Sequence, residues 1–448
     1  MNTSVGHLLA AFESFGQQPA IIWRDQRFTY EWLREHITRW TAELGLRADT
    51  QPGSVVALTA DYSPTAIALL LALINSGCIV SLTITATPGQ KAELFRLAEV
   101  STEIVVDSED EVVFRDIGHH VTHPLLAKLA ASGTGGVVLF TSGSAGKIKA
   151  VVHDAERLLA RCRTPTRARI TIPFMLFDHI GGINTVPQVL GSGGTAVIAA
   201  DRDPKTICSL IEKHRVQLLP ATPTFLTLLL LSDFKEHDLS SLEIIAYGAE
   251  RMPAQLLARL TAAFPGVRLI QNYGLSEVGV VRTSSDANGS LWVSLVGDGI
   301  ETRVAHGLLE IKSDSAMMGY LNEASPFTED GWLKTGDRVE VKGEHIQFRG
   351  RDSDVINIGG EKVYPSEIED LIASMPHVIE VIVSAQSNAI TGHLVHAEVR
   401  LLSEETREEF RGRMIAFLSD RIPSYKIPQR VTLGTQSFQG PRLKGRRS

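Results

Sequence analysis

The residues that could do chemistry begin with a loop of glycines, hydroxyls and lysines that directly follows an apolar run, residues 137–140. Glycine lets backbone N–H groups approach an anion, hydroxyls donate hydrogen bonds, and ammonium groups neutralise phosphate charge. A solvated surface hairpin is the alternative, but it does not explain the lysines. The loop is not a Walker A sequence, because Lys147 is followed by Ile148. The phosphate-binding interpretation rests on Thr141, Ser142, Gly143, Ser144, Gly146, Lys147 and Lys149.

A second segment, residues 271–279, combines an aromatic ring, a hydroxyl and a carboxylate. Tyr273 could stack on a purine, Ser276 could meet a phosphate, and Glu277 could hold Mg²⁺. The alternative is a strand that turns into a helix capped by Ser276 and Glu277. The segment does not match the Gly-x-Ser-x-Gly elbow of serine hydrolases, since Gly279 comes one residue late. A hydrolase of that class is therefore excluded.

Two further segments combine charge and glycine. Residues 332–337 read Trp-Leu-Lys-Thr-Gly-Asp, and Asp337 could accept hydrogen bonds from both hydroxyls of a ribose, although such a sequence is also a common turn. Residues 350–369 contain Arg351, several acidic residues and a helix that begins at a proline. We place a domain joint at the start of this last segment.

The elements that must position these residues alternate between strand and helix. This alternation, over the first 130 residues and again over residues 194–231, predicts parallel α/β sheets. Short strands and turns take over from about residue 289, and a further α/β block begins at Arg351. Helices are predicted over residues 5–12, 30–44, 63–75, 90–100, 204–214 and 222–231, and strands over residues 54–58, 79–82, 103–106, 194–198, 216–219, 308–311, 338–341 and 345–348.

The whole chain of 448 residues is long enough for two or three domains. We predict an α/β fold with a large N-terminal domain, residues 1–350, made of α/β subdomains and a small β-barrel-like region. A small, mobile α+β lid domain, residues 351–448, follows. Residues 66–74 are the most apolar run, about half the length that crosses a bilayer, and are expected to form a buried helix.

The composition excludes several classes of protein. A hydrophobic content of 44% excludes a disordered chain, and a net charge of −7 argues against a general nucleic-acid binder. Three distant cysteines predict neither a disulfide framework nor a zinc site. The N-terminus has no secretory signal pattern. We therefore expect a soluble, cytoplasmic protein with no membrane or nucleic-acid partner.

Taken in order, the four segments resemble the adenylate-forming superfamily of acyl-CoA synthetases, adenylation domains and luciferases. The resemblance covers nearly the whole chain, including residues 20–33 and 220–225. It implies a ligase that uses ATP and Mg²⁺ to convert a carboxylic acid into an acyl-AMP. A pantetheine thiol, of coenzyme A or of an acyl carrier protein, then takes the acyl group.

The resemblance also implies roles for individual residues. The first loop would lie over the phosphates, Ser276 would contact phosphate, and Glu277 would ligate Mg²⁺. Asp337 and Arg351 would hold the ribose. The residues expected to line the adenine and the acyl group are Gly248, Ala249, Glu250, Asn272, Tyr273 and Gly274.

Three residues carry expectations that depend on the register of the resemblance. His179 would close the acyl pocket, with a purely structural histidine as the alternative. Lys444 would be the adenylation lysine in an altered register, or else part of a disordered basic tail. Ser353 stands where the family commonly has an Asp or Lys at its hinge. A separate cluster, His119, His120 and His123, has metal-binding residue types but lacks nearby carboxylates beyond Asp116.

The acid and the acceptor stay open at the level of the sequence. The short N-terminal part and the apolar Phe174, Phe177 and Leu275 favour an aryl or compact acid. Gly359 and Gly360 would lie near the pantetheine tunnel. The alternatives are an amide-forming acyl-AMP ligase and a nucleotide-binding relative without catalysis.

Overall fold

The computed structural model describes residues 3–84, 86–142, 147–297, 299–358, 360–388 and 392–434. Within them the chain alternates helix and strand up to residue 271 and is mainly β-structure from there to residue 363. The helices are α1 (Ser4–Phe15), α2 (Tyr30–Gly45), α3 (Pro64–Asn75), α4 (Pro88–Leu97), α5 (Pro124–Ser132), α6 (Ala155–Leu159), α7 (Ile180–Gly191), α8 (Pro204–His214), α9 (Pro223–Leu231), α10 (Ala254–Ala263), α11 (Pro365–Ala373) and α12 (Arg407–Leu418).

The strands form two large sheets and several small ones. Those up to residue 275 are β1 (Pro19–Trp23), β2 (Gln26–Thr29), β3 (Val55–Thr59), β4 (Ile79–Thr83), β5 (Thr102–Val106), β6 (Val112–Asp116), β7 (Gly136–Ser142), β8 (Ile148–Asp154), β9 (Ile170–Thr171), β10 (Thr195–Ile198), β11 (Leu218–Ala221), β12 (Ile244–Tyr247), β13 (Arg268–Gln271) and β14 (Tyr273–Leu275). The later strands are β15 (Gly279–Ser284), β16 (Ser294–Val296), β17 (Ile300–Ala305), β18 (Leu308–Ser313), β19 (Gly319–Tyr320), β20 (Leu333–Lys342), β21 (His345–Arg351), β22 (Ile356–Ile358), β23 (Glu361–Val363), β24 (Val378–Asn388), β25 (Gly392–Leu401) and β26 (Arg430–Leu433).

The first large sheet is mainly parallel, as the alternating pattern predicted, whereas the second has as many antiparallel as parallel strand pairs. One has the order β13-β12-β11-β9-β10-β1-β2, and the other has the order β19-β8-β7-β4-β3-β5-β6. In the first sheet β2 is antiparallel to β1. In the second sheet β6, β8 and β19 are antiparallel to their neighbours. The remaining pairs within the two sheets are parallel.

The apolar run at residues 66–74 forms the buried part of α3, as predicted. Ser63 accepts a hydrogen bond from the backbone N–H of Ala66, and Pro64 occupies the first turn, so the helix begins at an ordinary N-cap. Every residue from Pro64 to Ile74 is buried. The helix therefore packs into the core on all sides.

One predicted strand is displaced along the chain. The prediction was residues 216–219, whereas β11 is Leu218–Ala221. Arg215 adopts a left-handed conformation (φ 54°) at the end of α8, and Val216 donates its N–H back to the carbonyl of Ile211. The helix cap thus uses residues that the apolar pattern alone assigned to the strand.

The β-rich region agrees with the predicted barrel-like part of the fold. It contains the antiparallel sheets β14-β15-β16 and β17-β18-β20-β21. Val293 and Ile346 form a bridge between these two groups of strands. Tyr273, Leu309 and Val339 belong to one shared hydrophobic cluster, so the two small sheets pack on a common core.

The chain after residue 350 has a hydrophobic cluster of its own. The cluster is built from the hairpin β22–β23, helices α11 and α12, and the sheet β24-β25-β26, and Ile368, Val395 and Phe410 are among its fully buried members. A separate core is what an independent domain requires. It supports our proposed boundary after residue 350. Among the described residues, no helix is both long and apolar enough to cross a bilayer.

Candidate active site

The carboxyl ends of β11, β12 and β13 lie side by side and form one edge of the first sheet. Ala221 is in register with Tyr247, and Tyr247 is in register with Gln271. The N–H of Asn272 donates to the carbonyl oxygen of Tyr247 at 2.7 Å, which continues the alignment beyond the strands. Ligands of parallel α/β sheets bind at such an edge. The residues predicted to line the adenine follow these strand ends.

Gly248 is required by the close approach of two strand ends. A Cβ atom built on Gly248 would lie 2.7 Å from the carbonyl oxygen of Asn272, a distance that real Cβ atoms do not reach. Ala249 follows with a left-handed backbone (φ 68°). The chain therefore turns sharply at the end of β12, where a side chain at position 248 would clash with the neighbouring strand end.

Glu250 is engaged with the start of a neighbouring helix. Its Oε2 accepts hydrogen bonds from the backbone N–H of Thr224 at 3.1 Å and from the Thr224 hydroxyl at 2.6 Å. Thr224 lies in the first turn of α9, where backbone N–H groups lack helical partners. The carboxylate thus stabilises α9, and its predicted contact with a ligand stays a prediction.

The predicted phosphate loop connects two antiparallel strands. Thr141 on β7 is in register with Lys149 on β8. Lys147 is exposed, and Lys149 is half-buried. Asn322 holds the base of β8, because its side chain accepts from the N–H of Ala150 and donates to the carbonyl of Ile148. Gly143, Ser144 and Gly146 lie outside the described residues, as does the side chain of Ser142.

Glu277 is held by a tyrosine that sequence reasoning missed. The hydroxyl of Tyr320 donates to Oε1 of Glu277 at 2.5 Å. The ammonium of Lys149 lies 5.1 Å from the centre of the Tyr320 ring, within the range of a cation–π contact. We call Glu277, Tyr320 and Lys149 the carboxylate cluster. No local pattern indicated this role of Tyr320, because β19 is only two residues long and Tyr320 lies 43 positions from Glu277 in the sequence.

The turn that carries Glu277 joins two strands of a hairpin and does not lead into a helix, which was the alternative interpretation of its sequence. Leu275 pairs with Gly279 in the hairpin β14–β15, and Gly279 has a left-handed backbone (φ 82°). Ser276 is half-buried, and its carbonyl oxygen lies 2.6 Å from Nε2 of His153 on β8. Burial lowers the pKa of His153. The turn is therefore held to β8, one of the two strands that flank the predicted phosphate loop, directly through Ser276 and indirectly through the contact of Glu277 with Tyr320.

Asp337 and Arg351, the predicted ribose residues, are together. Nε of Arg351 lies 3.3 Å from Oδ1 of Asp337, and the two residues face each other across β20 and β21. The hydroxyl of Tyr273 donates to Oδ2 of Asp337 at 2.5 Å, and the Tyr273 ring stacks on Phe348 at 4.6 Å. We call Tyr273, Asp337 and Arg351 the ribose cluster.

The electrostatics link the two clusters. Burial raises the pKa of Asp337, and the negative charge of Glu277 adds to this rise, whereas Arg351 and the Tyr273 hydroxyl lower it. Burial lowers the pKa of Arg351, but the negative charges of Asp337 and Glu277 raise it, and the net shift is upward. The carboxylates of both clusters therefore lie within the range of each other's charge.

His179 caps a helix. Its Nδ1 accepts a hydrogen bond from the backbone N–H of Gly181 at 3.0 Å, and His179 is the N-cap of α7. Its neighbour Asp178 is buried and accepts from the N–H of Ile84 at the end of β4. The capping contact fixes the imidazole at the start of α7. The predicted role in the acyl pocket stays a prediction.

The predicted residues of the last segment are only partly described. Lys444 and Gly359 lie outside the described residues. Ser353 lies in a short 3₁₀ turn, Asp352–Asp354, and its hydroxyl donates to Asp354 at 3.2 Å. Arg251 pairs with Asp370 on α11 at 2.7 and 2.8 Å. This ion pair joins the end of β12 to the chain that follows residue 350.

The donor set fits a magnesium ion that arrives with a nucleotide. Among the described residues, no group of three or more His, Cys, Asp or Glu side chains could hold a metal without other ligands. Mg²⁺ is usually bound by one or two carboxylates together with phosphates and waters, so Glu277 suffices on the protein side.

In the histidine cluster, Nδ1 of His123 caps α5 by accepting from the N–H of Leu125.

A cavity of about 400 Å³ opens elsewhere, at the carboxyl ends of β1, β5 and β10. Trp23, Val106 and Ile198 line it, and none of the predicted site residues does. The two clusters form the candidate active site, because converging charged and hydroxyl side chains can do chemistry and a cavity volume by itself cannot.

Comparison with known proteins assigns the chain to a family. A family model described as AMP-binding enzyme matches residues 9–320. The indoleacetate–CoA ligase of Aromatoleum aromaticum is 29% identical over 361 residues, which cover 74% of this chain and 68% of that protein. The long-chain-fatty-acid–CoA ligase FadD13 of Mycobacterium tuberculosis is 27% identical over 320 residues, which cover 66% of this chain and 62% of that protein.

The fold has a close counterpart among solved structures. ATP-bound MatB from Rhodopseudomonas palustris superposes with a TM-score of 0.84 at 21% identity, over 98% of this chain and 96% of that one. The prediction of an AMP-forming acid–thiol ligase is confirmed at the level of the family. The match over residues 9–320, which is more than half of the chain, shows that this protein belongs to the AMP-binding enzyme family.

Proposed function

We propose that the protein activates a carboxylic acid with ATP to an acyl-AMP and then transfers the acyl group to the thiol of coenzyme A. The observation that carries the proposal is the placement of the ribose cluster beside the carboxylate cluster, next to the carboxyl ends of β12 and β13. A nucleotide needs a polar anchor for its sugar and cations for its phosphates. The ribose cluster provides the polar anchor, and the carboxylate cluster provides a cation, the ammonium of Lys149.

The ribose cluster would fix the sugar. Asp337 is only 9% exposed, so water competes little for its carboxylate. Tyr273 and Arg351 occupy one oxygen each, and an ionised carboxylate has further lone pairs that can accept from ribose hydroxyls. Burial raises the pKa of Asp337, and Arg351 and Tyr273 oppose this rise because both favour the ionised form that accepts hydrogen bonds.

The carboxylate cluster and the hairpin would hold the phosphates. Lys147 is exposed beside the loop. The ammonium of Lys149 lies against the ring of Tyr320, the residue that binds Glu277. Glu277 would bind the Mg²⁺ of the nucleotide, and Ser276 would donate to a phosphate oxygen. When bound, Mg²⁺ supplies positive charge that offsets the charge of the phosphates.

The first chemical step would be a displacement at phosphorus. A carboxylate oxygen of the acid forms a bond to the α-phosphorus of ATP, and the bond from that phosphorus to the pyrophosphate oxygen breaks. Such a step is accelerated mainly by positioning and by fixed positive charge. In the second step the thiol sulfur bonds to the acyl carbon, AMP leaves, and the thiol proton is lost to solvent or base.

An aryl or similarly compact acid is our first choice of substrate. The name of the indoleacetate–CoA ligase specifies an aromatic acid, whereas that of FadD13 specifies long-chain fatty acids. Phe174 and Phe177 are buried within hydrophobic clusters, and Phe174 packs on Phe225 with 4.4 Å between ring centres. Both rings are fixed by this packing, and a rigid wall of that kind would suit a compact acid better than a long flexible chain.

The test is carboxylate-dependent ATP–pyrophosphate exchange with aryl, short-chain, long-chain and amino acids. We expect exchange with one class of acid and its loss in Asp337→Asn. The matched control is Asp330→Asn, since Asp330 also pairs with an arginine, Arg303, but is exposed. Lys444→Ala tests the adenylation lysine. Tight ATP binding without exchange for any acid would contradict the proposal and favour a relative without catalysis.

The acceptor is tested on the acid that supports exchange. Coenzyme A, a pantetheinylated carrier protein and a panel of amines are supplied in turn, and the products are identified by mass spectrometry. We expect the CoA thioester. An amide as the only product would replace the second half of the proposal by an amide-forming ligase, and a product only on the carrier protein would change the acceptor.

A further inference from the structure

Tyr320 connects the phosphate hairpin to the proposed metal carboxylate. It lies on β19, where it is in register with Val151 of β8, so its backbone belongs to the same sheet as the hairpin. Its side chain leaves that sheet and reaches Glu277, to which its hydroxyl donates at 2.5 Å. Tyr320 is only 8% exposed.

The surroundings hold the Tyr320 ring from two directions. The ammonium of Lys149, two residues before Val151 on β8, lies 5.1 Å from the ring centre. The neighbouring Met317 donates its N–H to the carbonyl oxygen of Glu277 at 2.7 Å. The backbone and the side chain of Glu277 are thus both bound by the same short segment, residues 317–320.

This contact restricts a side chain that would otherwise be mobile. A glutamate has three rotatable side-chain bonds, and fixing them costs free energy when a ligand must do it. A hydrogen bond to one carboxylate oxygen orients the group before the ligand arrives and leaves Oε2 for the ligand. Carboxylates that bind metals are commonly oriented by such partners, and loss of the partner weakens metal affinity.

We propose that Tyr320 is a positioning residue that orients Glu277 toward the Mg²⁺ of the bound nucleotide and couples this orientation to the hairpin that carries Lys149. The inference deepens the proposed function and rests on it. It predicts that Tyr320 matters for the metal-dependent part of nucleotide binding and not for the metal-independent part.

The test measures ATP binding by calorimetry with Mg²⁺ and with a chelator, in the wild type and in Tyr320→Phe. We expect the affinity for metal-free ATP to be unchanged and the gain produced by Mg²⁺ to fall by about tenfold, as expected for a lost hydrogen bond to a charged group. Mn²⁺ bound in the presence of ATP, measured by electron paramagnetic resonance, should weaken by a similar factor.

The matched control is Tyr30→Phe. Tyr30 is fully buried and donates to the carbonyl oxygens of Leu190 and Gly194, which belong to neither cluster. The Tyr30→Phe variant should be less stable to unfolding, with no change in the increase of ATP affinity that Mg²⁺ produces. If Tyr320→Phe behaves like this control, Tyr320 has a packing role and the inference is wrong. An Mg²⁺-dependent gain that rises in Tyr320→Phe would also overturn it.

A double-mutant cycle with Glu277→Gln separates this inference from the proposed function. Tyr320→Phe should have no further effect on the Mg²⁺-dependent gain once Glu277 is replaced, because the oriented group is gone. If Glu277→Gln itself leaves the gain unchanged, the assignment of Glu277 to the metal fails first. A normal loss in Glu277→Gln with no effect of Tyr320→Phe would refute only the positioning role.

Discussion

The hydroxyl of Tyr273 donates a hydrogen bond of 2.5 Å to Oδ2 of Asp337, across 64 positions of sequence. The Tyr273 ring stacks on Phe348, with the two planes only 11° apart. The tyrosine expected to flank the adenine thus has its hydroxyl committed to the residue expected to hold the ribose. This contact makes the state of the Asp337 carboxyl depend on Tyr273.

Tyr273→Phe should weaken ATP binding and change its pH dependence. The Tyr273 hydroxyl lowers the pKa of Asp337, against burial, which raises it. Without the hydroxyl the pKa of Asp337 rises further, and the ionised form that accepts from ribose is lost at a higher pH. ATP affinity is measured between about pH 5 and 8, a range chosen around the ordinary carboxyl and histidine pKa values. As the pH is lowered, the affinity of the variant should therefore begin to fall at a higher pH than that of the wild type. An unchanged pH profile would contradict the coupling.

Gly248→Ala should damage the site through the backbone. The new Cβ would lie 2.7 Å from the Asn272 carbonyl oxygen, so one of the two strand ends must move. We expect a loss of about 2 kcal/mol in the free energy of unfolding and a clear loss of ATP affinity. Gly412→Ala is the control, because Gly412 lies within α12 and nothing stands within 4 Å of its Cβ position. It should stabilise the helix slightly.

Asp370→Asn should loosen the contact between the end of β12 and α11. The side chains of Arg251 and Asp370 are only 18% and 32% exposed, and Arg251 also donates to the Ser366 carbonyl. Weakening this bidentate pair should cost about 1–2 kcal/mol of docking free energy. Limited proteolysis near Asp352–Asp354 should become several times faster. Asp330→Asn, at an exposed pair, should leave the cleavage rate unchanged.

Glu103→Gln should lower stability in a pH-dependent way. Glu103 is buried on β5 and is bound by Lys91, Thr59 and Arg115. Burial alone would raise its pKa, but these partners together lower it. The stabilisation is therefore present above the unfolded-state pKa and is lost as the pH falls through the lower folded-state value.

Urea unfolding of the wild type and of Glu103→Gln should differ by about 3 kcal/mol near pH 7, and the difference should shrink below about pH 4. Glu408→Gln is the control, because the Arg407–Glu408 pair is exposed. A constant difference from about pH 7 to pH 3 would show that Glu103 acts through packing and not through its charge.

Much of the fold could be predicted from local patterns. The helix predicted over residues 204–214 has the observed bounds Pro204–His214, and in the structure Asp203 caps its first turn. The helix predicted over residues 90–100 instead begins at Pro88 and ends at Leu97. There Thr87 and Gln90 form a capping box that starts the helix earlier than its apolar residues do.

The site itself was only partly predictable. The order of its four segments was sufficient to identify the family, and Asp337 and Arg351 do meet. Tyr320 and His153 were missed, since each reaches the Glu277 turn from a distant strand. Nothing in the local sequence of a two-residue strand distinguishes a positioning tyrosine from a core tyrosine.

The sequence by itself determined the alternation of helix and strand and the residue types available for nucleotide chemistry, because these depend on local sterics, capping and periodic burial. Only the tertiary structure decided which side chains meet. The partners of Asp337 and Glu277 come from strands that pair through long-range packing. Contacts of that kind depend on how whole sheets are arranged, and no local pattern along the chain encodes that arrangement.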